Sequence, residues 1–463
     1  MDNIISEKQK RRLPWIMATA VFIQMLDATI LNTALPSIAK SLNISPLNMQ
    51  MTVIVYALTL ALIMPLNGQL ADRFGTKKVF LFAIILFGIG SLLCATATSL
   101  NLLILYRIIQ GIGGAMLPVA RLALIKSFPR SEWLNTISFA IMPALLGPII
   151  GPLLGGYLSS FASWHWIFLI NIPIVLIGIW LCVRDFPDFT GENIKIDWTG
   201  YILFALSAFL LTLGLDYADK VGGLLFLSLM LLGVLFMFAY VVYANHSTNA
   251  IFSLELLKIR TFRIGLIGNL FCRIGISSIP FLLPLLLQVA FACSPEFSGW
   301  LLAPMALASM LAKPAITPLI SYFGYRKILV GNTILLGLCI IAFAIDATKS
   351  NLIYFLPILL LMGFLNSIQF SSMNTISLSD LEYHQNSSGN SLLSVNQQLA
   401  LSFGLAVGSS LLRWTNNQEW LTHNSVYMSF KITFIILGII TILSSCVFMF
   451  LRQRDGDNLI KLQ

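Results

Sequence analysis

The segment that decides how this chain folds is Gly68 to Lys78, which reads GQLADRFGTKK. It is short and charged, and a long apolar run lies on either side of it. About 20 apolar residues are needed to cross the hydrocarbon core of a bilayer as a helix. A connection this brief between two such runs is a tight turn at a membrane surface. Because it carries Arg73, Lys77 and Lys78, the positive-inside rule places the turn in the cytoplasm, and every other crossing alternates from it.

The composition supports a membrane protein. The 463 residues are 57% hydrophobic and 10% charged, whereas soluble domains carry about 25% charged residues. The net charge of +9 comes from basic residues spread over short loops, which membrane topology explains better than a nucleic-acid-binding surface does. We therefore predict a polytopic all-α membrane protein that has membrane lipids, and no nucleic acid, as partners.

Several kinds of chemistry find no support in the sequence. The six cysteines show no C-x-x-C spacing and the four histidines are scattered, so we predict neither a disulfide framework nor a metal site. The pattern G-x-x-x-x-G-K-[ST] is missing, which argues against a nucleotide-driven protein. No cluster of nucleophile and base residues suggests an enzyme. We expect no cofactor.

The apolar runs predict fourteen helices and, because that number is even, both termini on one side of the membrane. The predicted spans are 13–38, 48–71, 79–98, 102–126, 134–160, 166–183, 199–217, 222–244, 262–290, 297–321, 328–346, 352–377, 386–413 and 427–451. The stretch FGTKK at 74–78 recurs as FGYRK at 323–327, which indicates an internal repeat. We predict a 6 + 2 + 6 arrangement: a six-helix bundle over 1–184, an inserted helix pair with its cytoplasmic connections over 185–261, and a second bundle over 262–463.

The basic residues agree with this topology. Nineteen of the 28 lie in predicted cytoplasmic segments and five lie on the other side, a bias that places both termini in the cytoplasm. The remaining four fall within predicted spans: Arg107, Arg121, Arg273 and Lys313.

The first predicted helix contains an acidic residue near its middle. It reads LDATILNTALP from Leu26 to Pro36, and Asp27 lies about half-way across the membrane at 1.5 Å of rise per residue. Carboxylates at this depth are costly and usually mark an ion pathway inside the bundle. Asp27 is therefore a candidate proton carrier. The alternative is a carboxylate that a polar neighbour neutralises to fix helix packing.

Two further helices carry unusual residues. The fourth reads YRIIQGIGGA from Tyr106, and Arg107 lies deeper than an ordinary loop charge, although an arginine that extends to the interface is the alternative. The fifth reads LLGPIIGPLLGG from Leu145. Its small residues recur every four positions, which predicts a close-packing face, and its prolines can bend the helix. The residues of this face are Gly147, Gly151, Pro152, Gly155 and Gly156.

Together these stretches resemble the major facilitator superfamily, and within it the fourteen-helix drug/proton antiporter branch typified by EmrB and QacA. The turn is similar to the superfamily pattern G-x-L-A-D-R-x-G-x-K-K, the first helix to L-D-x-T-I-V-N-x-A-L-P, and the fourth to R-x-x-Q-G-x-G-x-A. The fifth helix resembles G-x-x-x-G-P-x-x-G-G, which is typical of exporters. In the turn the matching residues are Gly68, Asp72, Arg73, Gly75, Lys77 and Lys78.

The resemblance implies proton-coupled export of a small organic solute, of the multidrug-efflux type, across a bacterial inner membrane. Asp27 would carry the proton, Arg107 would modulate it, and Asp72 with Arg73 would form a cytoplasmic gate. The glycines of the fifth helix would form a hinge or seam. The proton gradient would drive transport, so that solute and protons are the expected partners, and a periplasmic adaptor is a further candidate.

The sequence leaves the identity and the charge of the substrate open. Candidate cavity-lining residues are Asn32, Gln110, Arg121, Asn269, Arg273, Lys313, Asn366 and Gln369. If the basic members face the cavity, they attract an anionic or zwitterionic solute and repel cations. Alternatively, Arg121 and Lys313 reach the cytoplasmic interface and only Arg273 is buried. Two other functions stay open: an uncoupled facilitator or exporter of a specific metabolite or siderophore-like acid, and a non-transporting membrane receptor.

Overall fold

The computed structural model is helical throughout the residues it describes, which contain no β-strand. The described residues are 7–129, 132, 136, 139–140, 143, 146–190, 196–219, 223–247, 250–346, 348–382, 385–423 and 425–456.

Eighteen α-helices lie in these ranges. They are α1 (Glu7–Ser41), α2 (Met51–Phe74), α3 (Thr76–Ala95), α4 (Leu100–Gly114), α5 (Leu117–Ser127), α6 (Gly147–Phe161), α7 (Trp166–Leu169), α8 (Asn171–Asp185), α9 (Trp198–Asp216), α10 (Gly223–His246), α11 (Arg260–Leu285), α12 (Pro295–Leu311), α13 (Lys313–Phe323), α14 (Tyr325–Ala342), α15 (Phe355–Leu378), α16 (Asn386–Asn416), α17 (Glu419–Thr422) and α18 (Val426–Met449).

The ends of several helices follow from local sequence. Ser99 accepts a hydrogen bond from the Leu102 amide at the start of α4, and Asp197 accepts one from the Gly200 amide at the start of α9. Side chains of this kind satisfy amide groups that have no partner in the first helical turn. Gly75 separates α2 from α3 with φ +97°, and Gly324 separates α13 from α14 with φ +75°. The two FG turns of the repeat therefore share a left-handed glycine.

Two predicted helices are interrupted. The span 102–126 consists of α4 and α5, and the span 297–321 consists of α12 and α13, which meet at 55°. In both cases a proline, Pro118 or Pro314, lies in the first turn of the second segment. Proline cannot donate a backbone hydrogen bond to the preceding turn, so a continuous apolar run divides there.

The polytopic all-α fold is confirmed. Eleven helical segments of the described chain are long and apolar enough to cross a membrane, or twelve if α12 and α13 form one span. The other two predicted spans also contain helix, namely α6 with 15 residues and α16 with 31. Eight of the 27 residues of the predicted span 134–160 lie outside the described residues, and the number fourteen stays a prediction.

The chain divides into two compact units. The first comprises Met1–Ile196 with Ser294–Trp300, and the second comprises Asp197–Cys293 with Leu301–Gln463. In the first unit, α1 packs against α6, α8 and α5, and α3 packs against α4. In the second, α11 packs against α16, α18 and α15. The inserted pair α9 and α10 belongs to this second unit, where α9 also contacts α16. The predicted division at 184 and 261 stays a prediction.

Candidate functional site

Asp27 forms a buried ion pair with Arg107 inside the first unit. The Arg107 Nη1 atom lies 2.7 Å from Asp27 Oδ2, and each side chain is 1% exposed. The two residues are 80 positions apart in the chain, on α1 and α4. Since an unpaired charge is very unfavourable inside a membrane, each residue explains how the other is tolerated there.

Neutral side chains complete the shell around the Asp27 carboxylate. Gln110 donates to Asp27 Oδ1 at 2.8 Å and accepts from Arg107 Nη1 at 2.6 Å. Asn171, the first residue of α8, donates to the same Asp27 oxygen at 3.2 Å. Ser91 of α3 accepts a hydrogen bond from Gln110 at 2.8 Å. All three neighbours are fully buried, so that four helices enclose the carboxylate.

Arg107 is also held by α2. Its Nε donates to the Thr52 carbonyl oxygen at 3.1 Å, and its guanidinium carbon lies 4.0 Å from the centre of the Tyr56 ring. A cation over an aromatic face gains electrostatic stabilisation that is largest where water is excluded. The guanidinium is thus fixed independently of Asp27, and α2 and α4 hold it in place.

This arrangement links the protonation of Asp27 to its surroundings. If Asp27 binds a proton, Arg107 loses its counter-ion. In this conformation water does not reach the site to replace it. Removing one partner of a buried ion pair destabilises a protein by about 3–5 kcal/mol. A conformation in which Asp27 is protonated must therefore give Arg107 other partners or admit water. The pair has the chemical capacity to couple proton binding to a structural change.

The glycine-rich helix α6 packs directly on α1. A Cβ atom added at Gly151 would overlap the Thr29 side chain, and one at Gly155 would overlap the Ile30 carbonyl oxygen. Thr29 donates a hydrogen bond to the Gly147 carbonyl oxygen at 3.2 Å. Gly147, Gly151 and Gly155 of the close-packing face predicted for the fifth helix lie against α1, the helix that carries Asp27, whereas a Cβ atom at Gly156 would overlap the Pro295 carbonyl oxygen. Its role as a hinge stays a prediction.

The charged turn between α2 and α3 is tied to neighbouring segments of the first unit. Asp72 pairs with Lys126 of α5 at 3.0 Å, and Asp188 accepts a hydrogen bond from the Lys77 amide at 3.1 Å. Arg73 is exposed, and its guanidinium stacks on Phe74 at 5.3 Å. Gly68 has open space around it and Lys78 is exposed. The role of Asp72 and Arg73 as a gate remains a proposal.

Two predicted cavity-lining residues lie inside hydrogen-bond networks instead. Gln110 is 0% exposed within the ion-pair shell. Gln369 of α15 is 1% exposed and belongs to an uncharged network in the second unit, where it accepts from Asn332 and donates to Thr333, both at 2.8 Å. In this conformation neither glutamine presents its amide to solvent.

The other predicted residues have different surroundings. Asn32 is buried on α1, and Arg121 on α5 is partly exposed. Lys313 is exposed at the start of α13. Arg121 and Lys313 form no ion pair with any residue in the described part of the chain. Asn269, Arg273 and Asn366 lie on α11 and α15 of the second unit and are considered further below.

Sequence reasoning missed Ser91 and Asn171 as partners of the ion pair. Both are polar residues next to or within apolar helices, and that is the signal that could have found them. Arg413 is one of the five basic residues that the predicted topology places on the side opposite the cytoplasm. In the structure Arg413 is 5% exposed and contacts Asp219 in bidentate fashion at 2.9 and 2.7 Å, with Asp216 at 3.4 Å. This second buried ion cluster joins α16 to the end of α9.

Comparison with known proteins gives consistent results. The model of the Major Facilitator Superfamily matches residues 17–196 and 265–461. A Haemophilus influenzae protein that carries the name transport protein HsrA is 42% identical over 455 residues, which is 98% of each chain. A Yersinia enterocolitica protein that carries the name multidrug resistance protein MdtD is 40% identical over 448 residues, 96% of each chain.

Solved structures show the same fold at low identity. A D-xylose–proton symporter aligns with a TM-score of 0.69 and 14% identity, over 96% of this chain and 99% of the symporter. A POT family transporter in complex with 5-aminolevulinic acid aligns with a TM-score of 0.71 and 14% identity, over 97% of this chain and 96% of the transporter. The many apolar helices, the family match and the relatives agree, and the chain is a multi-pass membrane transporter of the major facilitator superfamily.

Proposed function

We propose that this transporter exports a small organic solute in exchange for protons, with Asp27 as the proton carrier and Arg107 as the residue that modulates it. The observation that carries the proposal is the buried Asp27–Arg107 pair, 2.7 Å apart and sealed by Gln110 and Asn171. A charged pair of this kind inside a membrane bundle usually belongs to an ion or proton pathway. No cofactor enters the proposal, because the proton gradient supplies the driving force.

The direction of transport is proposed from two observations. The exporter pattern lies on α6, where its glycines Gly147, Gly151 and Gly155 pack on α1. The relatives at about 40% identity include proteins named for multidrug resistance. The proposed location is a bacterial inner membrane, with both termini in the cytoplasm, which the distribution of basic residues supports. The Asp72–Lys126 pair and Arg73 lie at the turn between α2 and α3. In the proposed topology this turn is cytoplasmic, and Asp72 and Arg73 would form a gate there.

The structure offers a reason for coupling. As long as Asp27 is ionised, each of its carboxylate oxygens accepts at least one hydrogen bond and Arg107 has a counter-ion. Loss of that charge on proton binding weakens the contacts among α1, α4 and α8. In alternating access the protein switches between two conformations. Proton binding can drive this switch only if it changes the relative stability of the two conformations.

The test is proton movement in inside-out membrane vesicles, which are acidified in the lumen by respiration and followed with a pH-quenched dye. Organic anions and lipophilic cations are added in turn. We expect that at least one class of compound triggers proton release in vesicles with the wild-type protein. The release is lost in vesicles with Asp27→Asn at equal protein levels.

A facilitator without proton coupling predicts another outcome. Labelled solute would cross the membrane in both the wild-type and the Asp27→Asn vesicles, and no compound would change the dye signal. That result would contradict the proposal and would make Asp27 a structural residue.

A further inference from the structure

Arg273 is a cation in the middle of a membrane helix without an acidic partner. It follows the first residue of α11 by thirteen positions, about 20 Å along the helix, which is deep in a hydrocarbon core about 30 Å thick. Its side chain forms no hydrogen bond and no ion pair with any residue that the structure describes. Arg107 and Arg413, by contrast, both face aspartates. A base at this depth without a counter-ion indicates a functional role.

Within the described part of the chain, the Arg273 guanidinium has an aromatic neighbour. Its central carbon lies 4.9 Å from the centre of the Phe370 ring on α15. Phe370 is 38% exposed and the Arg273 side chain is partly exposed. The ring lies beside the guanidinium, whose N–H groups have no acceptor among the residues that the structure describes. Both side chains are thus partly exposed on the surface of the described residues.

Polar side chains lie on the same faces of the two helices. Asn366 and Asn374 are four residues before and after Phe370, so that the three share one face of α15. Asn269 precedes Arg273 by four residues on α11. It is 0% exposed, and neither atom of its amide has a hydrogen-bond partner among the described residues. Buried amides in proteins are nearly always hydrogen-bonded, which indicates that Asn269 takes a partner from outside the chain.

A third helix, α16, lies beside Arg273 in addition to α11 and α15. A Cβ atom at Gly404 would lie 2.9 Å from the Arg273 carbonyl oxygen, so α16 approaches α11 closely beside this arginine. Gln397 of α16 donates a hydrogen bond to Asn374 at 2.8 Å. The Arg273 region is thus bounded by three helices of the second unit, with amide groups on its margins.

We propose that Arg273, stacked on Phe370, binds a carboxylate group of the transported solute. A guanidinium offers parallel N–H groups that match the two oxygens of a carboxylate, and such charge-assisted bonds are strong where water is sparse. The amides of Asn269 and Asn366 supply further donors for a solute with several oxygen atoms. This inference rests on the proposed transport function, and it does not depend on proton coupling.

The depth of Arg273 in the membrane distinguishes between two possible ligands, a soluble organic acid and a lipid headgroup. The phosphate group of a phospholipid lies at the membrane surface, about 15 Å from the centre of a hydrocarbon core about 30 Å thick. Arg273 is near that centre, so a free organic acid that enters from water is the better match. A binding signal that appears only with anionic lipids would contradict this assignment.

The experiment measures binding to the full-length protein in nanodiscs made of neutral lipid. The probes are benzene-1,3,5-tricarboxylate as the organic anion and tetraphenylphosphonium as the organic cation. We expect Arg273→Gln to weaken binding of the tricarboxylate by about tenfold or more, because a hydrogen-bonded ionic contact is lost. Arg273→Lys keeps the positive charge but lacks the planar guanidinium group. We expect its affinity for the tricarboxylate to lie between those of the wild type and Arg273→Gln. Phe370→Leu is expected to weaken binding by about threefold.

Arg263→Gln is the matched control. It removes the same charge from the same helix, ten residues nearer to the cytoplasmic end and at an exposed position, and we expect tricarboxylate affinity to stay at the wild-type value. Unchanged melting temperature and monodisperse elution show that each variant is folded.

Two results would overturn the inference: no binding of the tricarboxylate to the wild-type protein, or equal affinity in the wild type and Arg273→Gln. The vesicle assay separates this inference from the proposed antiport. Proton release that depends on Asp27 but not on Arg273 rejects only the carboxylate site. Tricarboxylate transport that depends on Arg273 but moves no protons rejects only the antiport.

Discussion

At the level of single residues, the Asp27–Arg107 pair makes a prediction about stability. Asp27→Asn leaves the Arg107 guanidinium without a counter-ion at a site with no solvent exposure. We expect each of Asp27→Asn and Arg107→Gln to lower the free energy of unfolding by about 3–5 kcal/mol. The double variant is expected to recover much of that loss, because it leaves no buried charge. Thermal unfolding of the four proteins in one detergent measures the effect.

The control for this comparison is Lys126→Gln, which breaks a partly exposed pair with Asp72. Pairs of that kind contribute about 0–1 kcal/mol, so a small change is expected there. If the single variants melt at the wild-type temperature, or if the double variant is no more stable than either single one, the pair is not coupled as described.

The rarity of charge inside a membrane allowed Asp27 and Arg107 to be predicted from the sequence. The family resemblance implied that they act together, but the spacing of 80 residues does not give their contact, which depends on the packing of α1 against its neighbours. Gln110 follows Arg107 by three residues and was assigned to a cavity. Helical spacing places it beside Arg107, but whether that face meets water or protein depends on α3 and α8.

At the level of helices, the contact between α6 and α1 predicts a steric effect. Gly151→Leu would place a large side chain against Thr29 of α1, and overpacking of this kind typically destabilises by about 1–3 kcal/mol. We expect a lower melting temperature and a large loss of transport, because α1 carries Asp27. Gly331→Leu is the matched control, since a side chain at Gly331 meets open space. If Gly151→Leu and Gly331→Leu lost stability and transport to the same extent, the contact between α6 and α1 would not be the cause.

The turn between α2 and α3 predicts a difference between two glycines of one motif. Gly75 has φ +97°, and a side chain there would collide with Asp188. Gly68 is helical and has open space around it. We therefore expect Gly75→Ala to destabilise by about 1–2 kcal/mol, whereas Gly68→Ala changes stability little. Melting temperatures and expression levels of the two variants test this, and a stable Gly75→Ala protein would contradict the steric reason.

The positions of the helices were largely predictable from the sequence, because long apolar runs have few alternatives in a membrane. The breaks within the predicted helices were not predictable from the sequence. The break between α12 and α13 depends on how Pro314 is accommodated, and proline is tolerated within some membrane helices. Inside α11, for example, Pro280 and Pro284 lie in one continuous helix.

At the level of the whole molecule, the alternation of spans predicts which segments face the cytoplasm. The Arg413 cluster is at the end of α9, and the predicted topology places that end on the periplasmic side of the membrane. A single cysteine at Ala218, in a protein whose native cysteines are replaced by serine or alanine, is expected to react with an impermeant maleimide added to intact cells. One at Lys78 is expected to react only in inside-out vesicles. Reaction of both from the same side would contradict the topology.

The measurement that tests the central claim most directly compares two transport modes in proteoliposomes for a solute found in the vesicle assay. One mode is accumulation driven by a pH gradient, and the other is exchange of labelled for unlabelled solute at equal pH. If Asp27 carries the proton, Asp27→Asn, or the double variant with Arg107→Gln if the single one is unstable, retains exchange but loses pH-driven accumulation. Accumulation by the variant at the wild-type level would show that the proton travels by another group.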